Sequence, residues 1–221
     1  MNHLNLILLA AGDNKCWDKP CSLWSIDNGR NIIDWQLHVI ETALPNSEVN
    51  VAVGYNYQKL ITDYPDLIFR HVFNWENSSA LHSFLSVVQD YSSQTLVMYG
   101  DTVFYSETLA EFTSIKGDVT VAIDSLWRQR FSNRSQEDIE FAETLNIEPH
   151  GEVEYTGLVK FSPRAMEWIS QHRDVYQSKS GFVDLLKDLK EEGFEIVTYD
   201  VAGNWAEMND QNDLVHFILG S

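Results

Sequence analysis

Small residues that follow an apolar run are the first feature of this sequence that suggests chemistry. Residues 4–9 read as a buried strand, and Ala10, Ala11 and Gly12 come directly after it. Residues without bulk let backbone N–H groups approach a phosphate closely. The carboxyl end of such a strand is also where open α/β sheets bind ligands. We therefore predict that Leu9, Ala10, Ala11 and Gly12 bind a nucleotide.

A carboxylate ends a second apolar run. Residues 96–99 are hydrophobic, and Gly100 and Asp101 follow them, so a strand would deliver this aspartate to the ligand-binding edge of a sheet. Mg²⁺ prefers hard oxygen ligands, typically one or two carboxylates together with phosphate oxygens. Asp101 is therefore the candidate ligand of a magnesium ion. The alternative is an ordinary aspartate in a turn.

Two further polar stretches have a composition that suits such a site. Residues 205–210 follow a strand and open the last helix, so Glu207 can add a carboxylate to the metal site. Alternatively, the aspartate that ends this stretch simply caps the helix. Residues 74–79 follow the third strand and offer amides and hydroxyls, including Asn77 and Ser78, that suit a base or a sugar. The alternative for them is a polar surface loop.

One stretch of this acidic chain concentrates basic side chains. It contains Trp127, Arg128 and Arg130, with Arg134 close behind. The planar fork of a guanidinium suits phosphate or phosphonate oxygens. Trp127, Arg128 and Arg130 are therefore candidates for binding an anionic acceptor, and the alternative is a solvated loop.

Strand-like and helix-like segments alternate along the chain. The predicted strands cover residues 4–9, 49–53, 67–73, 95–99, 119–123, 141–148, 153–161 and 195–201. The predicted helices cover residues 32–43, 57–64, 79–91, a segment opened by Ser162 and Pro163, 182–192 and 211–219, while 127–140 read as a polar loop. This alternation predicts an α/β fold, with a mainly parallel central sheet between two layers of helices.

The length and composition suit a single domain. With 221 residues and 44% hydrophobic side chains, the chain can build a sizeable core. We predict a nucleotide-binding half, residues 1–124, and an acceptor-side half, residues 125–221. The chain has seven tryptophans, and some of them can form an exposed apolar patch. Since such a patch can be a contact surface, a homodimer is a further expectation.

The charge balance excludes some partners. With 33 acidic and 15 basic residues, the formal net charge is −18, which argues against nucleic acid or an anionic membrane. A small anionic ligand bound with a divalent metal remains compatible with this charge. We see no membrane-length apolar stretch and no signal peptide, and we interpret Cys16 and Cys21 as reduced thiols. A cytoplasmic location is therefore expected.

These segments, in this order, resemble the sugar-phosphate nucleotidyltransferase superfamily with its GT-A-like fold. More narrowly, they are similar to cytidylyltransferases that activate phosphocholine and to those associated with phosphonate biosynthesis. The motifs that carry the resemblance span nearly the whole chain: LILLAAG, VAVGY, FNWENSSALHSFLSV, VMYGDTVF, VAIDSLWRQR, FAETLNI, YTGLVKFSP and NWAEMNDQNDL.

The resemblance implies a reaction and its partners. In that family a nucleoside monophosphate is transferred to a phosphate or phosphonate oxygen of an acceptor, and pyrophosphate is released. The chain would then use Mg²⁺, a nucleoside triphosphate, with CTP favoured, and a small phosphorylated or phosphonate acceptor. The resemblance also implies that Asp101 holds the metal, that Ser83 lies near the base and ribose, and that Glu143 contacts the acceptor.

The sequence departs from the family pattern in its charged residues. Its phosphate loop lacks the family's second glycine and arginine, and Cys21 stands where the family has its catalytic lysine, two residues before Leu23. Lys19 or Lys15 would have to take over that role. Asn209 replaces the family's second metal-binding aspartate and can offer a carbonyl oxygen without the charge.

Two hypotheses of different classes follow. The first is a magnesium-dependent nucleotidyltransferase with substituted catalytic groups. The second is a relative that binds a nucleotide or a partner protein without turnover, since each missing electrostatic contact at a reacting centre costs roughly 10²- to 10³-fold in rate. A transferase that uses a nucleotide-sugar donor is a third interpretation, which the short chain and the C-terminal motifs disfavour.

Overall fold

The three-dimensional structure is a computed structural model of the chain. It describes residues 4–13, 19–27, 29–130, 142–147, 150–176, 180–208 and 213. No helix in this part of the chain is long and apolar enough to cross a lipid bilayer.

Strands and helices alternate through the described residues. The strands are β1 (Leu4–Ala10), β2 (Ser25–Asp27), β3 (Arg30–Asn31), β4 (Val49–Val53), β5 (Ile68–His71), β6 (Gln94–Tyr99), β7 (Thr102–Phe104), β8 (Val119–Asp124), β9 (Thr144–Ile147), β10 (Gly151–Phe161), β11 (Ile196–Asp200) and β12 (Trp205–Glu207). The helices are α1 (Ile32–Ala43), α2 (Tyr57–Asp63), α3 (Ala80–Val87), α4 (Ser106–Ser114), α5 (Trp127–Arg130), α6 (Pro163–His172) and α7 (Phe182–Glu191). Short 3₁₀ turns cover Cys21–Leu23, Trp75–Asn77 and Arg173–Val175.

Eight strands form one mixed sheet. Their order is β11-β8-β10-β6-β1-β4-β5, and β9 pairs with β10. Four of these strand pairs are parallel, whereas β10 runs antiparallel to β6, β8 and β9. The sheet is therefore mixed and mainly parallel, as the alternation of segments predicts.

Helices cover both faces of this sheet, because neighbouring side chains of a strand point to opposite sides. On β1, Leu6 and Leu8 pack in a cluster with apolar side chains of α1, α2 and α4. Ile7 and Leu9 pack on the other face with side chains of α3, α6 and α7. The predicted three-layer αβα arrangement is confirmed. The division into a nucleotide-binding half and an acceptor-side half stays a prediction.

The sequence predicts several boundaries of helices and strands correctly, because local signals mark them. The prediction for β4 matches its observed bounds, and α6 begins as expected, with Ser162 accepting a hydrogen bond from Ala165 N at 3.2 Å and Pro163 in the first turn. Helix α7 is followed by Gly193, whose φ of +79° suits a glycine after a helix.

Other elements differ from the sequence prediction. Helix α3 ends at Val87, before the predicted end, because Val88 is already extended, and residues 127–130 of the predicted loop are helical. The prediction that residues 205–210 open a helix is wrong for Trp205–Glu207, which pair with β7 as a strand. Helix α4 and the β2–β3 hairpin were missed. The predicted helix over residues 211–219 lies almost wholly outside the described residues, which here include only 213.

The ends of β1 and β6 lie in direct contact. The two strands pair in parallel from Leu4 to Leu9, and Gly100 N then donates a hydrogen bond to Leu9 O at 2.7 Å. A Cβ atom on Gly100 would lie 2.6 Å from that oxygen and 3.0 Å from the Cα of Ala10. This close approach explains the glycine directly before Asp101.

Gly100→Ala is expected to destabilise the protein, because the added methyl group would force the ends of β1 and β6 apart. We expect the free energy of unfolding to fall by about 1 to 3 kcal/mol in urea denaturation. The matched control is Gly181→Ala, where the nearest atom to the added Cβ is 4.0 Å away. Equal losses in the two variants would contradict the close contact of the two strand ends.

Candidate active site

A cavity opens at the carboxyl ends of the central strands. Four segments line it: residues 9–12 at the end of β1, the 21–22 turn, part of the segment 75–83, and residues 99–101 at the end of β6. The structure thus brings the small-residue loop and Asp101 to the walls of one cavity. This is the edge at which open α/β sheets bind ligands.

The loop after β1 forms one wall and leaves room near its backbone. Leu9, Ala10 and Ala11 are buried and Gly12 is exposed, and all four line the cavity. Ala11 O accepts a hydrogen bond from Tyr55 N at 2.9 Å, which holds this loop against the end of β4. The backbone of the loop is therefore fixed beside the cavity without a bulky side chain in between.

The polar stretch after β5 supplies a second wall. Trp75, Ser78 and the buried Ser83 line this wall. The Trp75 ring packs against the Tyr55 ring, with their centroids 5.4 Å apart. Ser78 Oγ donates to Asn74 O at 2.9 Å. Asn77 is exposed and is not part of the cavity wall. Of the predicted base and sugar contacts, the two serines are therefore at the cavity.

Asp101 lies in the turn between β6 and β7, and Glu207 lies on β12, which pairs with β7 but is not part of the cavity wall. Glu207 pairs with Thr102 across β7 and β12, and Met208 N donates to Asp101 O at 2.7 Å. Asp101 is partly buried and lines the cavity. Asn209, the third predicted metal ligand, lies outside the described residues.

A buried aspartate holds the strand that carries Glu207. Asp124 is 1% exposed at the end of β8, and its carboxylate accepts hydrogen bonds from Leu126 N at 2.9 Å and Gly203 N at 3.2 Å. The same carboxylate accepts from the indole Nε1 of Trp205 at 2.9 Å. Three donors stabilise the buried charge and fix the start of β12, a role that sequence analysis missed.

Glu143 is connected to the cavity wall by a hydrogen bond from Tyr99. The Tyr99 hydroxyl donates to Glu143 Oε2 at 3.0 Å, and the Tyr99 ring lines the cavity. The pKa of Glu143 is raised to about 7, chiefly by burial. The hydrogen bond from Tyr99 opposes this rise, and the negative charges of Glu207, Asp101 and Asp184 add to it. Burial also raises the pKa of Tyr99 well above its usual value, so this phenol remains a donor.

This group of carboxylates suits a divalent cation. The field of Asp101 and Glu207 acts on Glu143, so negative charge is concentrated at the Asp101 end of the cavity. Within the described residues, no group of three or more histidine, cysteine, aspartate or glutamate side chains is placed to hold a metal. A pair of carboxylates fits Mg²⁺, which takes few protein ligands and completes its shell with phosphate oxygens and water.

The lysine position of the resembled family is occupied by a buried thiol. Cys21 is 6% exposed, lines the cavity, and donates from Sγ to Met208 O at 3.4 Å. Lys19 is partly buried and lies just before this turn, while Lys15 is outside the described residues. Lys19 is thus the candidate cation that the structure places next to the cavity-lining segment.

The predicted basic acceptor stretch lies elsewhere. Trp127 is 3% exposed, and the Arg128 guanidinium lies over its ring at 4.9 Å while forming an ion pair with Glu152. Neither residue is part of the cavity wall. Arg130 ends the short helix α5, and its side chain is outside the described structure. Among the acceptor-side residues, Glu143 alone is linked to the cavity through a described contact.

Sequence analysis did not identify Ser22 and Tyr99 as site residues. Ser22 follows the position of the family's lysine, and that register was the signal that could have pointed to it. Tyr99 is the last residue of an apolar strand, where an aromatic side chain is more often part of the core. Its role depends on Glu143, which is 44 residues away in the chain.

Comparisons with known proteins bear on the fold of the chain. No protein-family profile matches the chain. CTP:phosphoglutamine cytidylyltransferase from Campylobacter jejuni is 23% identical over 250 aligned positions, covering 96% of this chain and 98% of that protein.

Solved structures share the whole fold. The inositol-1-phosphate CTP transferase from T. maritima superposes with a TM-score of 0.70 at 16% identity, covering 99% of this chain and 97% of that one. The CTP:phosphocholine cytidylyltransferase of Streptococcus pneumoniae gives a TM-score of 0.69 at 14% identity, with 99% and 100% covered. The chain therefore has the fold of the sugar-phosphate nucleotidyltransferases, as its sequence motifs imply.

Proposed function

We propose that this chain is a nucleotidyltransferase that moves CMP from CTP to a small phosphorylated or phosphonate acceptor and releases pyrophosphate. The observation that carries this proposal is the meeting of the β1 loop and Asp101 in one cavity. The similar proteins named above support CTP as the donor, since each is described as a CTP or cytidylyl transferase. Their acceptors are small phosphorylated compounds, which supports the acceptor class.

The transfer makes one bond to phosphorus and breaks another. An oxygen of the acceptor phosphate or phosphonate attacks the α-phosphorus of CTP, and the bond from that phosphorus to the bridging oxygen breaks, so that pyrophosphate leaves with the electron pair. We assign the triphosphate to the backbone of residues 10–12, and the base and ribose to the wall formed by Trp75, Ser78 and Ser83. This arrangement would orient the α-phosphate for in-line attack.

Charge at the reacting phosphate must be balanced by cations. We assign Mg²⁺ to Asp101 and Glu207, where it would neutralise charge on the phosphates and the leaving group. Lys19 is the proposed cationic side chain, in place of the family's lysine. Because Cys21 supplies no charge at that position, we expect a slow enzyme compared with relatives that keep the lysine.

The proposal is tested by assaying pyrophosphate release with each nucleoside triphosphate, Mg²⁺, and either phosphocholine or aminoethylphosphonate. We expect release with CTP and at least one acceptor. Asp101→Asn is expected to lower kcat/KM by about 10²-fold or more, because the metal loses a charged ligand. The matched control is Asp66→Asn, at an exposed turn before β5, where the parallel strands begin rather than at their carboxyl ends.

The alternative class has its own outcome in this assay. If CTP binds but no acceptor gives pyrophosphate at high enzyme concentration, the chain is a nucleotide-binding relative without turnover. The buried thiol of Cys21 at the lysine position is the observation that favours this alternative. Full activity of Asp101→Asn would instead overturn the metal assignment.

The raised pKa of Glu143 predicts how stability changes with pH. Because the folded protein favours the protonated carboxyl, the folded state binds more protons than the unfolded chain between the usual glutamate pKa and about 7. Stability should therefore fall as pH rises through that window. Glu143→Gln resembles the protonated form, so we expect its advantage in Tm over wild type to be larger at about pH 8 than at about pH 5.

This measurement is made without nucleotide or metal, by thermal unfolding at both pH values. Glu48→Gln, at an exposed position, is the matched control for the loss of one negative charge. An advantage of Glu143→Gln that is equal at both pH values, or larger at the lower one, would show that Glu143 is not held in a charge-disfavouring site.

A further inference from the structure

Ser22 places a buried hydroxyl at the cavity without a protein partner. The residue is 2% exposed and lines the cavity, and its Oγ has no hydrogen-bond partner among the described residues. A buried polar atom that lacks a partner costs stability, so a folded protein rarely keeps one without a reason. A ligand that enters the cavity would supply the missing partner.

The turn that carries Ser22 is held in place on both sides of it. Leu23 N donates to Pro20 O at 2.9 Å, Trp24 N donates to Cys21 O at 2.8 Å, and the Leu23 side chain is buried in the core. Cys21 Sγ donates to Met208 O. These contacts hold the backbone on both sides of Ser22 in place beside the cavity.

The same contacts connect Ser22 to the metal-binding end of the site. Cys21 is hydrogen-bonded to Met208, and Met208 N is hydrogen-bonded to Asp101 O at 2.7 Å. The turn is therefore linked through Met208 to the backbone of Asp101, whose carboxylate we assign to Mg²⁺. Phosphate oxygens, rather than the base, are expected at this end of a bound nucleotide.

The described cavity wall has few ways to bind phosphate. None of the described residues that line it is a lysine or an arginine. Phosphate recognition by these residues must therefore use backbone N–H groups and hydroxyls, which form strong hydrogen bonds to a charged oxygen. Among the hydroxyls of the described wall, that of Ser22 is buried and has no protein partner.

We propose that Ser22 is a nucleotide-binding residue whose hydroxyl donates a hydrogen bond to a phosphate oxygen of the bound triphosphate. This inference rests on the proposed function, since it assumes that the cavity takes a nucleoside triphosphate. It adds a phosphate ligand on the turn where the resembled family carries its lysine.

The test compares Ser22→Ala with wild type in stability and in binding. Without ligand, Tm should stay the same or rise, because alanine removes an unpartnered buried hydroxyl. The Kd for CTP with Mg²⁺, measured by calorimetry, should rise about tenfold, the effect expected for one hydrogen bond to a charged group. Binding of cytidine, measured by saturation-transfer NMR, should not change, because cytidine lacks phosphates.

Two further variants control for the substitution itself. Ser114→Ala removes an exposed hydroxyl that donates to Glu111 O at 2.7 Å on α4, and it should leave the Kd for CTP unchanged. Ser22→Cys keeps the shape of the side chain but replaces the oxygen with a slightly larger sulfur that is a weak donor. It should weaken CTP binding nearly as much as Ser22→Ala.

Each other result overturns the inference in a recognisable way. If Ser22→Ala binds CTP like wild type, Ser22 is not a phosphate ligand, and the proposed function is unaffected. A lower Tm without ligand would identify Ser22 as a structural residue, and equal weakening of cytidine and CTP would place the contact on the nucleoside. If wild type binds none of the four nucleoside triphosphates, the proposed function fails and the inference fails with it.

Discussion

The parallel pairing of β1 with β6 is the constraint on which the site depends. It brings the small-residue loop and the Gly100-Asp101 step to the same edge, where Gly100 N donates to Leu9 O at 2.7 Å. Because Gly100 has no Cβ atom, the two strand ends can lie against each other. The cavity, the carboxylates at one end of it and the Cys21–Ser22 turn are all arranged around this contact. A shift of β6 by one residue would turn the Tyr99 side chain to the other face of the sheet and move Asp101 out of register with the β1 loop.

Electrostatics at this edge are unusual for a site that would hold a triphosphate. The chain carries a formal net charge of −18, and the field of Asp101, Asp184 and Glu207 helps raise the pKa of Glu143. Such a site favours cations. An anionic nucleotide would therefore be expected to bind together with its metal ion, and neutral donors such as Ser22 and the β1 loop backbone would contact its phosphates. This division of roles accounts for a cavity wall whose described residues include neither lysine nor arginine.

The sequence predicts the parts of the fold that local patterns determine. Continuous apolar runs predict the central strands, and the Ser162-Pro163 pair predicts the start of α6. The carboxylate that directly follows an apolar run predicts the position of Asp101 at the end of β6. The antiparallel insertion of β10 between β6 and β8 depends on contacts that are distant in the chain, and no local pattern encodes it. The same reason explains why the pairing of Trp205–Glu207 with β7, and the buried Asp124 that supports it, were missed. Tyr99 contacts Glu143, a partner that is distant in the chain and that only the fold brings close.

The most direct measurement of the central claim is a crystal structure of the protein with CTP and Mn²⁺, which stands in for Mg²⁺ and gives an anomalous signal. The account predicts an anomalous peak in direct contact with the Asp101 carboxylate, and triphosphate density between that peak and the backbone of residues 10–12. A nucleotide bound away from the ends of β1 and β6, or a manganese peak that Asp101 does not contact, would contradict it.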